Sequence, residues 1–268
     1  MNQEIKKKYQ EKVDNMRWSF SRINSFQSGC KFCWFQNYII KERGEGNAFS
    51  EYGSLMHDIL ERYFKGDLLP FELESEFTDG FIEKVGDFPP NKFVDLRENY
   101  FNQGIKYLKE FDGYPDYEIL EIEPEILINV GGYDFIGYID LLVKNKNNGK
   151  IIVIDHKSKA KFKSKEELRE YAHQLYLYAI WVYEKYGEYP SLLKFNMFRK
   201  QTEKTIIFKE SELEKSKKWM LDSIAELREC EEFPVTSDEF FGTELCNNRD
   251  HILHELGEAY TLEELWED

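Results

Sequence analysis

Apolar positions recur every three or four residues through the early part of the chain and every second residue through its middle. Residues 1–15 form a charged amphipathic stretch that predicts a helix. The aromatic and polar run over 19–40 predicts two short helices broken near Gly29. Within 50–64, Leu55, Ile59, Leu60 and Tyr63 share one helical face, and Gly66 closes the helix. Further helices are expected at about 71–86 and 92–111, divided by Pro89 and Pro90. From Tyr117 the period changes, and 118–130, 133–144 and 149–157 predict three successive strands. Gly131-Gly132 joins the first two, and Asn145-Lys-Asn-Asn-Gly149 has the composition of a tight hairpin turn between the last two. Ser164-Lys-Glu-Glu167 has the capping pattern of a helix that runs to about Tyr186, where Gly187 and Pro190 end it. A second hairpin is expected from 192–199 and 202–209, then a helix over 211–230 and a less regular acidic tail. With no internal repeat or low-complexity linker, the order predicts an α/β protein: a mixed sheet with helices around it and a helical N-terminal portion.

A chain of 268 residues with 21 Phe, 17 Tyr and 5 Trp can bury a sizeable core, so disorder is expected only at its ends. No apolar run approaches the length of a membrane span, and residues 1–15 are too charged for a leader. The expectation is a soluble, cytoplasmic protein with no membrane partner. A formal charge of −15 argues against a surface that binds nucleic acid all over. Locally the picture differs: Lys157, Lys159, Lys161, Lys163 and Lys165 alternate, with Arg169 one turn further on. Cys30, Cys33, Cys230 and Cys246 are few and unevenly spaced, so disulfides are not expected. Cys30-Lys-Phe-Cys33 supplies half of a metal knuckle, and Cys246 with His251 or His254 completes a thiolate site only where the two ends of the chain meet.

The densest chemistry lies in Gly137-Tyr-Ile-Asp140 and, fifteen positions later, Asp155-His-Lys157. Each acid follows an apolar run, and the turn between them predicts antiparallel pairing that brings Asp140 near Asp155. Strand alternation points Asp155 and Lys157 the same way, placing an ammonium beside two carboxylates. Hard oxygen ligands with a neighbouring cation suit Mg²⁺- or Mn²⁺-assisted phosphodiester hydrolysis. Taken alone, an Asp-x-Lys at a strand end marks no more than a solvated turn. His57 sits mid-helix with Gly53 one turn before it, and its imidazole could complement the aspartates and the His156 carbonyl. Gln174 and Tyr178 share one helix face with Tyr171 a turn earlier, while Leu175, Ala179 and Val182 form the neighbouring apolar stripe.

In this order and at these spacings, Gly53-Ser-Leu-Met-His57, Gly137-Tyr-Ile-Asp140, Asp155-His-Lys157 and Gln174-Leu-Tyr-Leu-Tyr178 resemble the successive motifs of PD-(D/E)XK nucleases of the RecB type. That group includes the nuclease domains of RecB and AddB, the CRISPR adaptation nucleases and small phage-encoded exonucleases. The resemblance spans about 18–255. It implies a restriction-endonuclease-like central sheet in one nuclease domain, with a mainly helical part at 18–115, the core at 116–230 and a degenerate cysteine-motif tail at 231–255. Residues 1–17 would be a helical extension and 256–268 an acidic tail. His57, Asp140, Asp155 and the main-chain carbonyl of His156 are implied as metal ligands for Mg²⁺ or Mn²⁺. Lys157 is implied to position or activate the attacking water, and Gln174 and Tyr178 to contact the DNA backbone or support Lys157. Glu123 is implied as a neighbouring acid. The basic strip itself, Lys159, Lys161, Lys163 and Arg169, is expected to track the nucleic-acid strand.

Two departures matter. Asp155 stands where many such nucleases carry Glu. Relatives with an iron–sulfur cluster carry one cysteine near the N-terminus and three near the C-terminus, the latter as F-C-x-x-x-C-x-x-R-x-x-C. Here Phe241, Cys246 and Arg249 keep the frame while Gly242 and Ile252 occupy two of the cysteine places. Cys30 and Cys246 remain as candidate ligands, too few for four-thiolate ligation unless Cys33 and another group substitute, so no conventional [4Fe-4S] cluster is expected. The resemblance implies a metal-dependent exonuclease acting on DNA ends or single strands in recombination, repair or phage DNA processing, with a helicase, integrase or recombination protein as partner. The alternative is a catalytically inactive subunit that keeps the fold and binds DNA or protein.

Overall fold

The computed structural model describes residues 2–266. In chain order they form α1 (Gln3–Asp14), α2 (Phe20–Ser28), α3 (Lys31–Phe35), α4 (Ala48–Lys65), α5 (Leu73–Lys84) and α6 (Leu96–Glu110). Strands β1 (Tyr117–Ile122), β2 (Glu125–Val130), β3 (Tyr133–Tyr138), β4 (Leu141–Asn145) and β5 (Ile151–Lys157) follow, then α7 (Lys165–Tyr186), β6 (Leu192–Met197) and β7 (Thr202–Ile207). The last elements are α8 (Glu210–Arg228), β8 (Glu232–Pro234), β9 (Ala259–Thr261) and α9 (Leu262–Trp266). These residues divide into two compact units, one of 47–126 with 137–214, the other of 2–46, 127–136 and the described residues from 215 on. No helix among the described residues is long and apolar enough to cross a membrane.

The first unit is built on a five-stranded mixed sheet in the order β1-β4-β5-β6-β7. The β4–β5 hairpin is antiparallel, with Leu141 opposite Ile154, and its turn is held by Asn145, whose side chain accepts from the amides of Asn147 and Asn148. Strand β6 then joins β5 in parallel, a step that needs a crossover, and α7 supplies it. Ser164 caps α7 by accepting from the Glu167 amide at 3.1 Å, and Gly187 ends it at φ +74°. Residues Ile151 to His156 of β5 are all buried, as expected of a central strand covered on both faces. Leu141, Val143, Ile152 and Ile154 form one core on this sheet. A second packs α4, α5 and α6 through Tyr52, Leu55, Met56, Ile59, Phe77 and Phe81, and Phe198 joins it.

Two expected strands are each divided in the structure. The run over 118–130 breaks at Glu123-Pro124 into β1 and β2, because Pro124 has no amide to donate and Glu123 adopts a left-handed φ of 49°. The run over 133–144 breaks at Ile139-Asp140: β3 pairs with β2, whereas β4 pairs with β1 and β5. The break leaves the Asp140 carboxylate just ahead of β4 rather than at a strand's end.

In the other unit Tyr9, Phe35, Phe233 and Trp266 pack ring against ring, and Tyr9 Oη donates to the Leu227 carbonyl at 2.6 Å. Trp18 bridges in parallel to Phe135, and β8 pairs antiparallel with β9. Contrary to the expectation of no disulfides, Cys33 and Cys246 are bonded across 213 positions. The cysteine spacing hides this pairing because the fold, not the sequence, brings the start of α3 to the C-terminal segment.

Candidate active site

Every candidate catalytic side chain lies in the unit that carries the five-stranded sheet. Asn47 caps α4 in a reciprocal box with Ser50, and the buried stripe Tyr52, Leu55, Met56, Ile59 fixes the helix's rotation so that His57 projects from its edge. His57 Nδ1 lies 3.6 Å from Asp140 Oδ1. Glu123 reaches the same place from the β1–β2 break, where its amide donates to the Asp140 carbonyl at 3.3 Å. Ligand atoms of His57, Glu123 and Asp140 all lie within 4.8 Å of one another. They line an open cleft of about 520 Å³ together with Ser54, Asp58, Glu61 and Ser158.

Asp155 follows a different course. Its Oδ2 is buried 2.7 Å from Lys157 Nζ, a charge contact rather than an aligned hydrogen bond. Lys157 Nζ donates to Gln174 Oε1 at 3.0 Å, and Gln174 Nε2 donates to Tyr178 Oη at 2.8 Å. Residues four apart on α7 thereby continue the row that β5 begins. Gly137 makes room for it, since a Cβ there would stand 2.5 Å from the Tyr178 ring. The His156 amide donates to Asp140 Oδ2, which ties the two acidic segments together.

Burial, and next the charge of Asp155, push the Asp140 carboxyl well above the usual aspartate range. Burial, and next Asp140, push Glu123 up to about 7. Burial pulls Lys157 down, but the attraction of Asp155 outweighs it and leaves its pKa raised. Burial also holds His57, and more strongly His156, below the usual histidine range, so both imidazoles are neutral. Such a cluster of carboxylates with too little positive charge beside it, and one neutral imidazole, has the donor chemistry of a divalent-cation site.

The structure therefore brings together His57, Asp140, Asp155, Lys157, Gln174 and Tyr178, but divides them into two groups. Asp155 faces Lys157, and Glu123 takes the third place beside His57 and Asp140. The signal for Glu123 is its position before Pro124, where an alternating run must break. Asn196, unremarked in the sequence, has its buried amide nitrogen 2.8 Å from His156 Nδ1 and donates to Tyr107 Oη at 2.6 Å. A polar Asn196 beside Phe195 and Met197 near the end of the buried β6 is the cue. With the amide nitrogen donating, His156 Nδ1 accepts and its proton sits on Nε2. Of the basic strip, Lys161, Lys163 and Arg169 are exposed, whereas Lys159 pairs with Glu167 at 2.6 Å and covers the Tyr171 ring. Cys30, Cys33 and Cys246 lie in the other unit.

A sequence model of the PD-(D/E)XK nuclease superfamily matches residues 17–249. The chain is similar in fold to the crystal structure of a "Putative exonuclease" from Eubacterium rectale, with a TM-score of 0.52 and 16% identity over 82% of this chain and 83% of that one. A second solved structure, SSO0001, aligns at a TM-score of 0.37 and 18% identity over 94% and 95% of the two chains. No curated protein matches the sequence.

Proposed function

This chain belongs to the PD-(D/E)XK nuclease superfamily, and from that premise we propose that it is a divalent-metal-dependent exonuclease that hydrolyses phosphodiester bonds in DNA. The convergence of His57, Glu123 and Asp140 in an open cleft, beside the row Asp155, Lys157, Gln174, carries this reading. These three side chains would hold Mg²⁺ or Mn²⁺, with the His156 carbonyl and Asp155 as further oxygen donors. The ion would acidify water and offset the charge on the phosphoryl oxygens.

The chain's own residues do the rest. Asp155 keeps Lys157 protonated, so Lys157 acts as a hydrogen-bond donor and fixed positive charge, not as a base. Gln174 accepts from the ammonium and holds it on the cleft side, and Tyr178 in turn fixes Gln174. In the step itself a water oxygen bonds to phosphorus as the ester P–O bond breaks, the water's proton passes to solvent, and the leaving oxygen takes a proton from solvent to depart as a free hydroxyl. Exposed Lys161, Lys163 and Arg169 supply contacts to the phosphate backbone despite the chain's net negative charge. A role in recombination, repair or phage DNA processing, with a helicase or integrase presenting the end, fits that activity.

The test is digestion of labelled linear, circular and single-stranded DNA with Mn²⁺. Linear and single-stranded DNA should be degraded and closed circles spared. Asp140→Ala and Lys157→Ala should each lower the rate by about 100-fold or more while leaving the circular-dichroism spectrum unchanged. Undiminished digestion by both variants would sink the reading.

A further inference from the structure

Away from the cleft, in the other unit, four side chains from distant parts of the sequence meet. Ligand atoms of Cys30, Cys33, Cys246 and His254 all lie within 4.8 Å of one another. Cys30 caps α3, and its Sγ receives the Cys33 amide at 3.4 Å. The three cysteines are 3%, 7% and 2% exposed. His254 is held by its amide, which donates to the His251 carbonyl at 2.8 Å, and by the Phe32 ring beside it. Its Nε2 is buried with no hydrogen-bond partner.

The Cys33–Cys246 disulfide uses only two of these four groups. It leaves the Cys30 sulfur buried beside it and leaves the Nε2 of His254 unsatisfied, which is unfavourable for a buried polar atom. A disulfide alone gives no reason for a histidine with an unpaired buried nitrogen to gather with three sulfurs. A single metal ion satisfies all four at once. We propose that Cys30, Cys33, Cys246 and His254 form a mononuclear zinc site, occupied when the Cys33–Cys246 bond is reduced.

The geometry selects the metal. Zinc–sulfur bonds of about 2.3 Å in a tetrahedron put neighbouring ligand atoms roughly 3.8 Å apart, within the observed limit of 4.8 Å. A four-iron cluster bonds each ligand to a different iron and needs them farther apart. Three soft thiolates and one imidazole also make a donor set that favours zinc over the hard cations suited to the carboxylate cleft. The two states interconvert in a balanced way. A dithiol reductant gives two electrons and two protons to the S–S bond, leaving two thiols and becoming a disulfide itself. Zinc then displaces three thiol protons and takes the neutral imidazole as its fourth ligand. The ion would tie Cys30 and His254 to Cys33 and Cys246, whereas oxidation keeps only the Cys33–Cys246 link and releases the other two, which makes the unit sensitive to oxidation.

Asp140→Ala full-length protein, in which the carboxylate cleft is disabled, lets metal content report this site alone. Purified with reductant, it should hold about one zinc per chain and almost no iron or sulfide. Adding Cys30→Ser or His254→Ala should lower the zinc content several-fold, whereas Cys230→Ser, outside the cluster, should not. Replacement of zinc by Co²⁺ should give an intense thiolate-to-cobalt charge-transfer band that hydrogen peroxide abolishes and a dithiol restores. Reduced protein without zinc, iron with matching sulfide, or a cobalt spectrum lacking the thiolate band would each overturn the proposal. The cobalt measurement on protein with all four ligands intact decides the matter even where a ligand variant does not fold.

Discussion

Glu123 carries a carboxyl pushed up to about 7, first by burial and then by Asp140. Its ordinary value is 4.5, so in the absence of metal the fold favours its protonated form. The stability this contributes is fully present below about 4.5 and is lost as pH rises through about 7. Glu123→Gln has no charge to lose. In chelator at pH 8 the variant should therefore be more stable than wild type by about 1 kcal/mol, a figure reduced from the full shift because the side chain is only half-buried. The gap should close by pH 4.5. Urea unfolding at the two pH values checks this, and a wild type as stable as the variant at pH 8 refutes it. The same substitution should weaken Mn²⁺-dependent digestion, because the group that costs stability is one of the three side chains proposed to hold the cation. Lys157 behaves oppositely: Asp155 compensates its burial, so the ammonium keeps its charge without a metal.

Between elements, the contact that matters most for the proposed chemistry is the seat of α7 against β3 and β5. Tyr178 fills the space above Gly137, with ring atoms 2.5 to 3.0 Å from where a Cβ would stand. The ring is buried, so yielding to a Cβ would disturb the packing around it. Gly137→Ala should therefore destabilise the unit by about 1 to 3 kcal/mol through overpacking. It should also shift Tyr178, and with it Gln174 and Lys157, so turnover should fall further than stability explains. Thermal unfolding with DNA digestion below the melting temperature separates the two; an unchanged melting temperature contradicts the packing argument. Much of this arrangement was legible in the sequence. Asn145 to Gly149 announced the turn of the β4–β5 hairpin, the hairpin announced that Asp140 and Asp155 are neighbours, and Ser164 with Gly187 bounded α7. The break at Ile139-Asp140 was not legible, because apolar alternation runs on across it while the hydrogen-bonding partner changes, and the break at Glu123-Pro124 was marked only by Pro124 within a run that alternates on either side. For the same reason Glu123 looked like a strand residue and Asp155 looked equivalent to Asp140. Contacts such as Asn196 with His156, and Cys33 with Cys246, depend on parallel pairing and on chain ends meeting, neither of which leaves a local pattern.

Taken whole, the chain carries 51 acidic residues against 36 basic ones, so a carboxylate cluster in the cleft is held against a background that already repels further negative charge. Burying Asp140 beside Asp155, with Glu123 close by, costs folding free energy that a divalent cation would return. Any ion that binds the folded but not the unfolded chain stabilises it by mass action, by about 2.7 kcal/mol at a concentration 100 times its dissociation constant. For a protein of this size that corresponds to a rise of roughly 5 to 10 °C in the melting temperature. Adding Mn²⁺ to protein already loaded with zinc should raise the unfolding transition by this amount, and Ca²⁺ should do so as well if charge compensation is the cause. Asp140→Ala should abolish the shift. Lys157→Ala should retain it or enlarge it, since removing the ammonium leaves Asp155 uncompensated and makes the cleft more negative. This opposition separates the two ways of losing activity: one variant fails because the cation is not held, the other because a held cation lacks the neighbouring positive charge. Equal shifts in wild type and Asp140→Ala would place the stabilising ion somewhere other than the cleft.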